Sequence, residues 1–518
     1  MFSPSRFHRT SDITGGLFPS YAVAVLLVFG GVDQTCGETW QGYAGNAQHT
    51  AQSGVQSQAL GRIVWQTPVD LQPQYSGNDL LIHYGSPVIT SANTVIVPVK
   101  TGANGGFELQ ARSGVDGTLL WTQTTTYTLP PANWTPSFSP TLTPRGRIYW
   151  PAAGGSLFWR NNLDVAGTVI PNMVNFYTNR RSKIKSAVQI STPLTSDDNG
   201  NIYFGYEVNG SAPKALSTSG IARIDSNGSG IYLPLQIGTK LTKTQLQVTT
   251  NCAPALSNDG RTVYIAAHGT SAIRNGGAGY LFALTSASLQ VQNMVELFDP
   301  VSGQPARLPD DGTASPTVGP DGRVFFGVLE NPFDSSKGWL LQFDSALTQS
   351  TGVPGAFGWD DTASIVPASS VPIYQGNSSY LLMTKYNNYA ALGGDGLNRI
   401  AILDPNDSQV DARTGATVMK EVITMLGQTP DAEYVNVFPG AVREWCINNA
   451  AVDPLSHSVL ANSEDGKLYR WDLATNTFSE SIVLTPGVGE AYTPTVIGAD
   501  GKVYAINNAT LFAIGAGP

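Results

Sequence analysis

The sequence predicts an all-β chain, an eight-bladed β-propeller closed by an N-terminal strand. Three observations carry this expectation. A phrase typified by SPTVGPDGRVFFG, residues 315–327, recurs along the chain. Within the repeats, Asp-Gly, Asn-Gly or Arg-Gly separates two alternating apolar runs, the strongest short-range hairpin signal. Successive copies lie roughly 45 to 60 residues apart, the repeat length of a propeller blade.

Eight copies align on one Ser-Pro-like position, at 85–99, 138–152, 191–205, 252–267, 314–327, 363–374, 448–463 and 492–507. Each supplies the first two strands of a blade. A third strand is read in GYLFALT (279–285), GWLLQFD (338–344) and GKLYRWDL (466–473), and a fourth, outer strand in GTLLWTQ (117–123). Four antiparallel strands per unit, repeated in this way, close into a ring around a channel. The last unit ends at NATLFAIG (508–515) without a fourth strand, while LGRIVWQTPV (60–69) is left over at the other end of the chain. Placing that N-terminal run on the last blade removes the exposed edges. One interval, about 85 residues between the copies at 363 and 448, leaves room for an insertion at about 405–445. Within it ATVMKEVITMLG has helical apolar spacing and a Gly stop, which predicts a short helix.

Length alone would give about three domains, but the repeat makes residues 38–518 one. With 29 Lys+Arg against 38 Asp+Glu and a net charge of −9, the chain lacks the concentrated positive charge that nucleic acid requires. Arg6, His8 and Arg9 precede SYAVAVLLVFGGV (20–32), an apolar run too short to span a bilayer and of the length of a signal-peptide core. Residues 1–37 are therefore expected to be a signal peptide, with an uncleaved anchor as the alternative. VDQTC lacks a lipobox, so export to the periplasm or medium is expected, with no integral membrane domain after removal. Of the three cysteines, Cys252 and Cys446 remain in the mature chain and are expected to be free thiols.

GFELQARSGVDGTLLW (106–121), with its outer Trp121, and the opening WQGYAGNAQHTAQS (40–53) resemble the PQQ-like β-propellers, the quinoprotein alcohol dehydrogenase-like group. Trp65 is the other outer tryptophan retained. The resemblance covers roughly residues 40–518. It implies the propeller fold and, for the dehydrogenases of the group, PQQ with calcium. Those enzymes carry adjacent cysteines over the quinone, a tryptophan beneath it, and a calcium held by Glu, Asn and Asp beside a catalytic Asp. This chain has no adjacent cysteines, and its acids do not map onto that ligand set.

Propellers bind ligands where the innermost strands begin, so the residues just upstream of each Ser-Pro position are the candidates. In ring order these include His83, Tyr84, Trp134, Gln189, Asn251, Asp311, Asp361, Arg443, Glu444, Trp445 and Glu490. Together they form a polar and aromatic funnel in which an Arg could bind a carboxylate bidentately. The same residue types also serve as strand-entry and turn groups that cap backbone hydrogen bonds. An enzyme could use His83, Tyr84, Arg443, Glu444, Asp361 or Glu490 for proton transfer on a polysaccharide. SDDNGN (196–201) and PDGR (320–323) lack the ligand spacing of a calcium loop and read as hairpin turns. His49 belongs to the opening segment with no partner implied. The expected role is binding or scaffolding through the funnel, toward a protein or carbohydrate ligand. The alternative is an enzyme in the same funnel, either a PQQ-dependent dehydrogenase or a polysaccharide lyase or hydrolase.

Overall fold

The recurrent phrase folds as its turn chemistry dictates. Thr317–Val318 and Val324–Val328 pair antiparallel across a tight turn in which Gly322 takes φ +85° and Asp321 accepts the Arg323 N–H. A left-handed φ costs glycine nothing, which is why Asp-Gly recurs at this corner. Trp339–Phe343 adds the third strand.

The computed structural model describes residues 39–76, 79–80, 85–130, 138–177, 184, 186–210, 216, 218–238, 243–269, 277–309, 314–348, 352–487, 489 and 493–517. Among them the same meander follows itself along the chain as an all-β propeller. Val88–Ile89, Thr94–Gly102, Gly105–Ser113 and Leu119–Thr124 make one sheet, and Thr141–Leu142, Ile148–Pro151, Ser156–Arg160 and Asn172–Asn175 the next. The third is built on Ile202–Val208 and the fourth on Thr262–Gly269, each with its inner strand in two pieces. Ser364–Pro367, Tyr380–Tyr386, Arg399–Val410 and Thr417–Leu426 form another, and Ala451–Asp453, Ser458–Asn462, Lys467–Asp472 and Thr477–Val483 the one after it. The last set is Val496–Ile497, Val503–Asn507 and Thr510–Gly515, with Arg62–Pro68 antiparallel to Thr510–Gly515. Seven of these sheets thus have four or more strands, and the one built on Thr317–Phe343 has three.

Two expectations need correction. Among the described residues not every unit shows four strands: outside Trp339–Phe343 they hold a single bridge, Leu340 to Gly355. The adjoining edge is covered instead by the long hairpin of the next sheet, where Met419 donates its N–H to the Pro354 carbonyl and Val418 and Met419 are buried in the cluster that holds Leu341 and Phe343. Covering an unpaired strand edge prevents it from recruiting another chain. Nor is ATVMKEVITMLG a helix. Thr417–Leu426 is the fourth strand of its sheet, paired with Arg399–Val410 through two register shifts. Its Val, Ile and Thr residues favour a pleated surface, and its pairing partner overrides the apolar spacing.

The core lies between sheets. Strand faces alternate so that, for example, Ile96, Leu109 and Trp121 meet Leu142, Trp150 and Leu157 of the following sheet. The outer tryptophans fasten neighbours together. Trp121 donates its indole N–H to the Leu163 carbonyl at 2.7 Å, and Trp65 to the Gly114 carbonyl at 3.3 Å.

The opening segment runs along the innermost strands. Trp40 exchanges backbone hydrogen bonds with Ile89, and the carbonyls of Gln41, Ala47, Gln48, Thr50 and Ala51 accept the N–H groups of Leu142, Leu256, Val318, Ile365 and Val452 in turn. Positive φ at Ala44, Gly45, His49 and Ala51 bends the chain so that these carbonyls face outward to successive sheets. Two-residue inner strands such as Val88–Ile89 and Thr141–Leu142 would otherwise leave their inward-facing amides unsatisfied.

Candidate functional site

Five sequence candidates, His83, Tyr84, Trp134, Asp311 and Glu490, lie outside the described residues. The others can be placed. Asn251 is buried at φ +65°, a conformation Asn tolerates, and donates its N–H to the Ser191 carbonyl. That is the strand-entry role.

Asp360 and Asp361 lie in the loop entering Ser364–Pro367, and both are buried. The Lys385 ammonium, on the neighbouring strand Tyr380–Tyr386, sits 3.3 Å from Asp360 Oδ2, and neither side chain is more than 4% exposed. Among the described residues Asp361 Oδ2 has no hydrogen-bond partner. Burial pushes the Asp361 carboxyl well above the ordinary range, with Lys385 pulling it down and Asp360 pushing it up. The opening segment reaches this group through Tyr43, whose hydroxyl lies 2.8 Å from Thr362 Oγ1 and donates to Asn448 Oδ1 at 2.9 Å. His49 stands edge-on to the Tyr43 ring, with Nδ1 2.7 Å from the Pro316 carbonyl, and burial lowers its imidazole to about 4. The opening segment therefore has partners that the sequence did not imply.

A second polar group adjoins the first. Tyr389 accepts a hydrogen bond from Asn387 and feels the charges of both Asp360 and Glu444. Arg443 Nη1 meets Asp431 at 3.5 Å, Glu433 at 3.3 Å and Glu464 at 3.4 Å. Cys446 Sγ donates to Glu464 Oε2 at 3.6 Å, and burial raises the Glu464 carboxyl to about 7, against the pull of Arg443. Glu444, Cys446 and Glu464 bring their ligand atoms within 4.8 Å of one another. The Arg443 guanidinium already supplies positive charge there, so the cluster does not require a cation. Glu464 was missed in the sequence because SEDG reads as a hairpin turn.

Trp445 does not line an opening. Fully buried, it packs on Tyr469 and Phe478 between sheets, and its backbone N–H donates to Asn387. Cys252 and Cys446 are both free and buried.

The class of fold is thus an all-β propeller with a polar group where its inner strands begin. No protein-family model and no curated protein matches the chain. Among solved structures it is similar to a europium-containing methanol dehydrogenase, with TM-score 0.56 and 10% identity over 92% of this chain and 91% of the other. Quinohemoprotein alcohol dehydrogenase from Comamonas testosteroni gives 0.51 at 11% identity, covering 93% and 81% of the two chains. ADHIIG from Pseudomonas putida HK5 gives 0.53 at 11% identity, covering 93% and 76%. These likenesses establish a PQQ-like propeller fold.

A quinone and its calcium do not fit the described residues. Lys385, a buried cation beside the inner strands, is paired with Asp360. Glu207, a buried acid of the third sheet, accepts from Thr250 at 2.8 Å and from Asn209 at 3.3 Å. No adjacent cysteines exist, and Trp445 belongs to the core.

Proposed function

We propose that the chain is an exported, eight-bladed PQQ-like propeller that acts as a binding or scaffold module through its central funnel. Counting the three-stranded unit as a blade gives eight, and the pairing of Arg62–Pro68 with Thr510–Gly515 supports closure by the N-terminal strand. Residues 1–37, outside the described part, are proposed as the signal peptide and 38–518 as the propeller, which is consistent with the single compact unit Gly37–Pro518.

The observation that carries the binding role is Asp361. Its carboxyl is wholly buried, held toward the protonated form and, among the described residues, left without a partner at Oδ2, while Asp360 beside it is paired with Lys385. An unsatisfied buried polar atom is costly, and sites that bind ligands are where such a cost is tolerated. A carboxyl whose burial favours its protonated form, beside the Tyr43 hydroxyl and the Asn448 amide, suits the hydroxyls of a carbohydrate or the backbone of a peptide. Acid–base hydrolysis would call for a second free carboxylate facing the first, and the neighbouring Asp360 is engaged with Lys385.

The test is a calorimetric screen of neutral and acidic oligosaccharides and of extended peptides, with product analysis of every mixture. Binding without cleavage is expected, at least tenfold weaker in Asp361→Asn, whose amide removes the acidic proton at nearly constant shape and fold. Turnover of any glycan would favour the lyase or hydrolase. Unchanged affinity in Asp361→Asn would remove Asp361 from the site.

A further inference from the structure

The opening segment, besides satisfying the inner strands, walls a cup of about 300 Å³. Trp40, Gln41, Gln48 and Gln52 line it from the segment, and Asp198 and Gly498 from the turns around it. Asp198 and Gly498 follow the inner strands Thr195–Ser196 and Val496–Ile497, whereas Asp361 precedes the inner strand Ser364–Pro367. Each blade is a meander that begins at its innermost strand, so these strands run the same way along the channel. The cup therefore lies at the end of the channel away from Asp361.

Asn46 holds the segment in shape. Its Oδ1 accepts the N–H groups of Gln48 and Thr50, both at 3.1 Å, and its Nδ2 donates to Thr50 Oγ1 at 2.8 Å. Gln48 and Gln52 each donate an amide N–H to the surrounding sheets, to the carbonyls of Ser257 and Ile365 at 3.2 and 2.9 Å. Among the described residues their Oε1 atoms accept no hydrogen bond, and neither the Gln41 amide nor the Asp198 carboxylate has a partner. Trp40 is 3% exposed, and its indole N–H has no acceptor among the described residues.

A buried N–H without an acceptor is costly. The cup thus holds one unanswered donor and several unanswered acceptors. A cation would answer only the acceptors, and an anion would answer the donor while facing the Asp198 carboxylate. Hydroxyl groups answer both kinds, because each donates and accepts. A volume near the lower end of ligand sites, about 300 Å³, limits the ligand to a single ring. We propose that this cup is a second binding site, independent of Asp361, and that it takes one neutral hexopyranose ring. The Trp40 N–H donates to one sugar hydroxyl, and Asp198 and the glutamine Oε1 atoms accept from others.

The probes are the methyl glycosides of glucose, galactose and mannose, fixed as pyranoses, with tetrahydropyran as the same ring without hydroxyls. They are titrated by ligand-observed NMR into the full chain carrying Asp361→Asn, which removes the response of the other end of the channel. At least one glycoside is expected to bind with a Kd of about 10 mM or tighter, and at least tenfold more tightly than tetrahydropyran. Adding Asp198→Ala should weaken it at least fivefold with an unchanged melting temperature. Asp198 is exposed, and Asp197 caps the turn by accepting the N–H groups of Asn199 and Asn201 at 3.0 and 2.8 Å. Trp40→Phe, which removes the indole N–H, should weaken binding in the same way, and Asp198→Ala decides the matter if that variant does not fold. No glycoside binding at about 100 mM, equal binding of tetrahydropyran, or undiminished affinity with Asp198→Ala would overturn the proposal.

Discussion

The sequence offers Arg443 as a funnel candidate and gives no sign of its three acidic neighbours. Asp431 and Glu433 lie in a stretch without repeat pattern, and Glu464 is concealed in a turn of the following sheet. Trp445 was misread because residues upstream of an inner strand alternate in direction along extended backbone. Glu444 and Cys446 converge on Glu464, and Trp445 between them turns into the core. Glu464 provides a pH test with a definite sign. Its folded-state carboxyl titrates near 7, above the ordinary 4.5, so the folded protein holds a proton that the unfolded chain has lost. Its contribution to stability is greatest below about 4.5 and is lost as pH rises through about 7. Between pH 8 and pH 5, stability of the wild type relative to Glu464→Gln should shift toward the wild type by up to about 3 kcal/mol, measured by urea melts. His49, lowered by burial to about 4, works in the opposite direction as pH falls from its ordinary 6.5. It is present in both proteins and cancels in the difference.

At the scale of elements, strands with a turn between them were readable and strands defined by their neighbours were not. Asp321-Gly322 announces its hairpin because only a few residues tolerate the corner. Thr417–Leu426 carries no such mark, and its character comes from Arg399–Val410 beside it. The opening segment shows the same dependence. Small residues in WQGYAGNAQHTA signal close packing, but the succession of carbonyls it offers to the inner strands is a property of the ring. Contacts between sheets make a sharper prediction. Gly117 has φ +76°, and a Cβ there would lie 2.7 Å from the Trp65 ring on the strand Arg62–Pro68. Gly117→Ala should therefore cost more than about 1 kcal/mol in a denaturant melt, through both the backbone and the displaced indole. A neutral result would mean that Trp65 is not held against this turn.

For the whole molecule, the repeat spacing revealed a propeller because each blade is a local meander, with its turns and strands adjacent in sequence. Local signals could not reveal that one unit has three strands among the described residues, or that the hairpin of the next sheet covers its edge. Repeat phase names polar positions upstream of the inner strands but not the pairings among them, since Asp360 with Lys385 and Arg443 with Glu464 join residues far apart or on different strands. The most direct test is a titration of the purified protein with PQQ and calcium, followed by absorption and by a dye-linked assay over a panel of alcohols. The binding-module account predicts no shifted quinone band and no dye reduction. Stoichiometric quinone uptake with alcohol-dependent turnover would contradict it and make the polar wall an oxidation site.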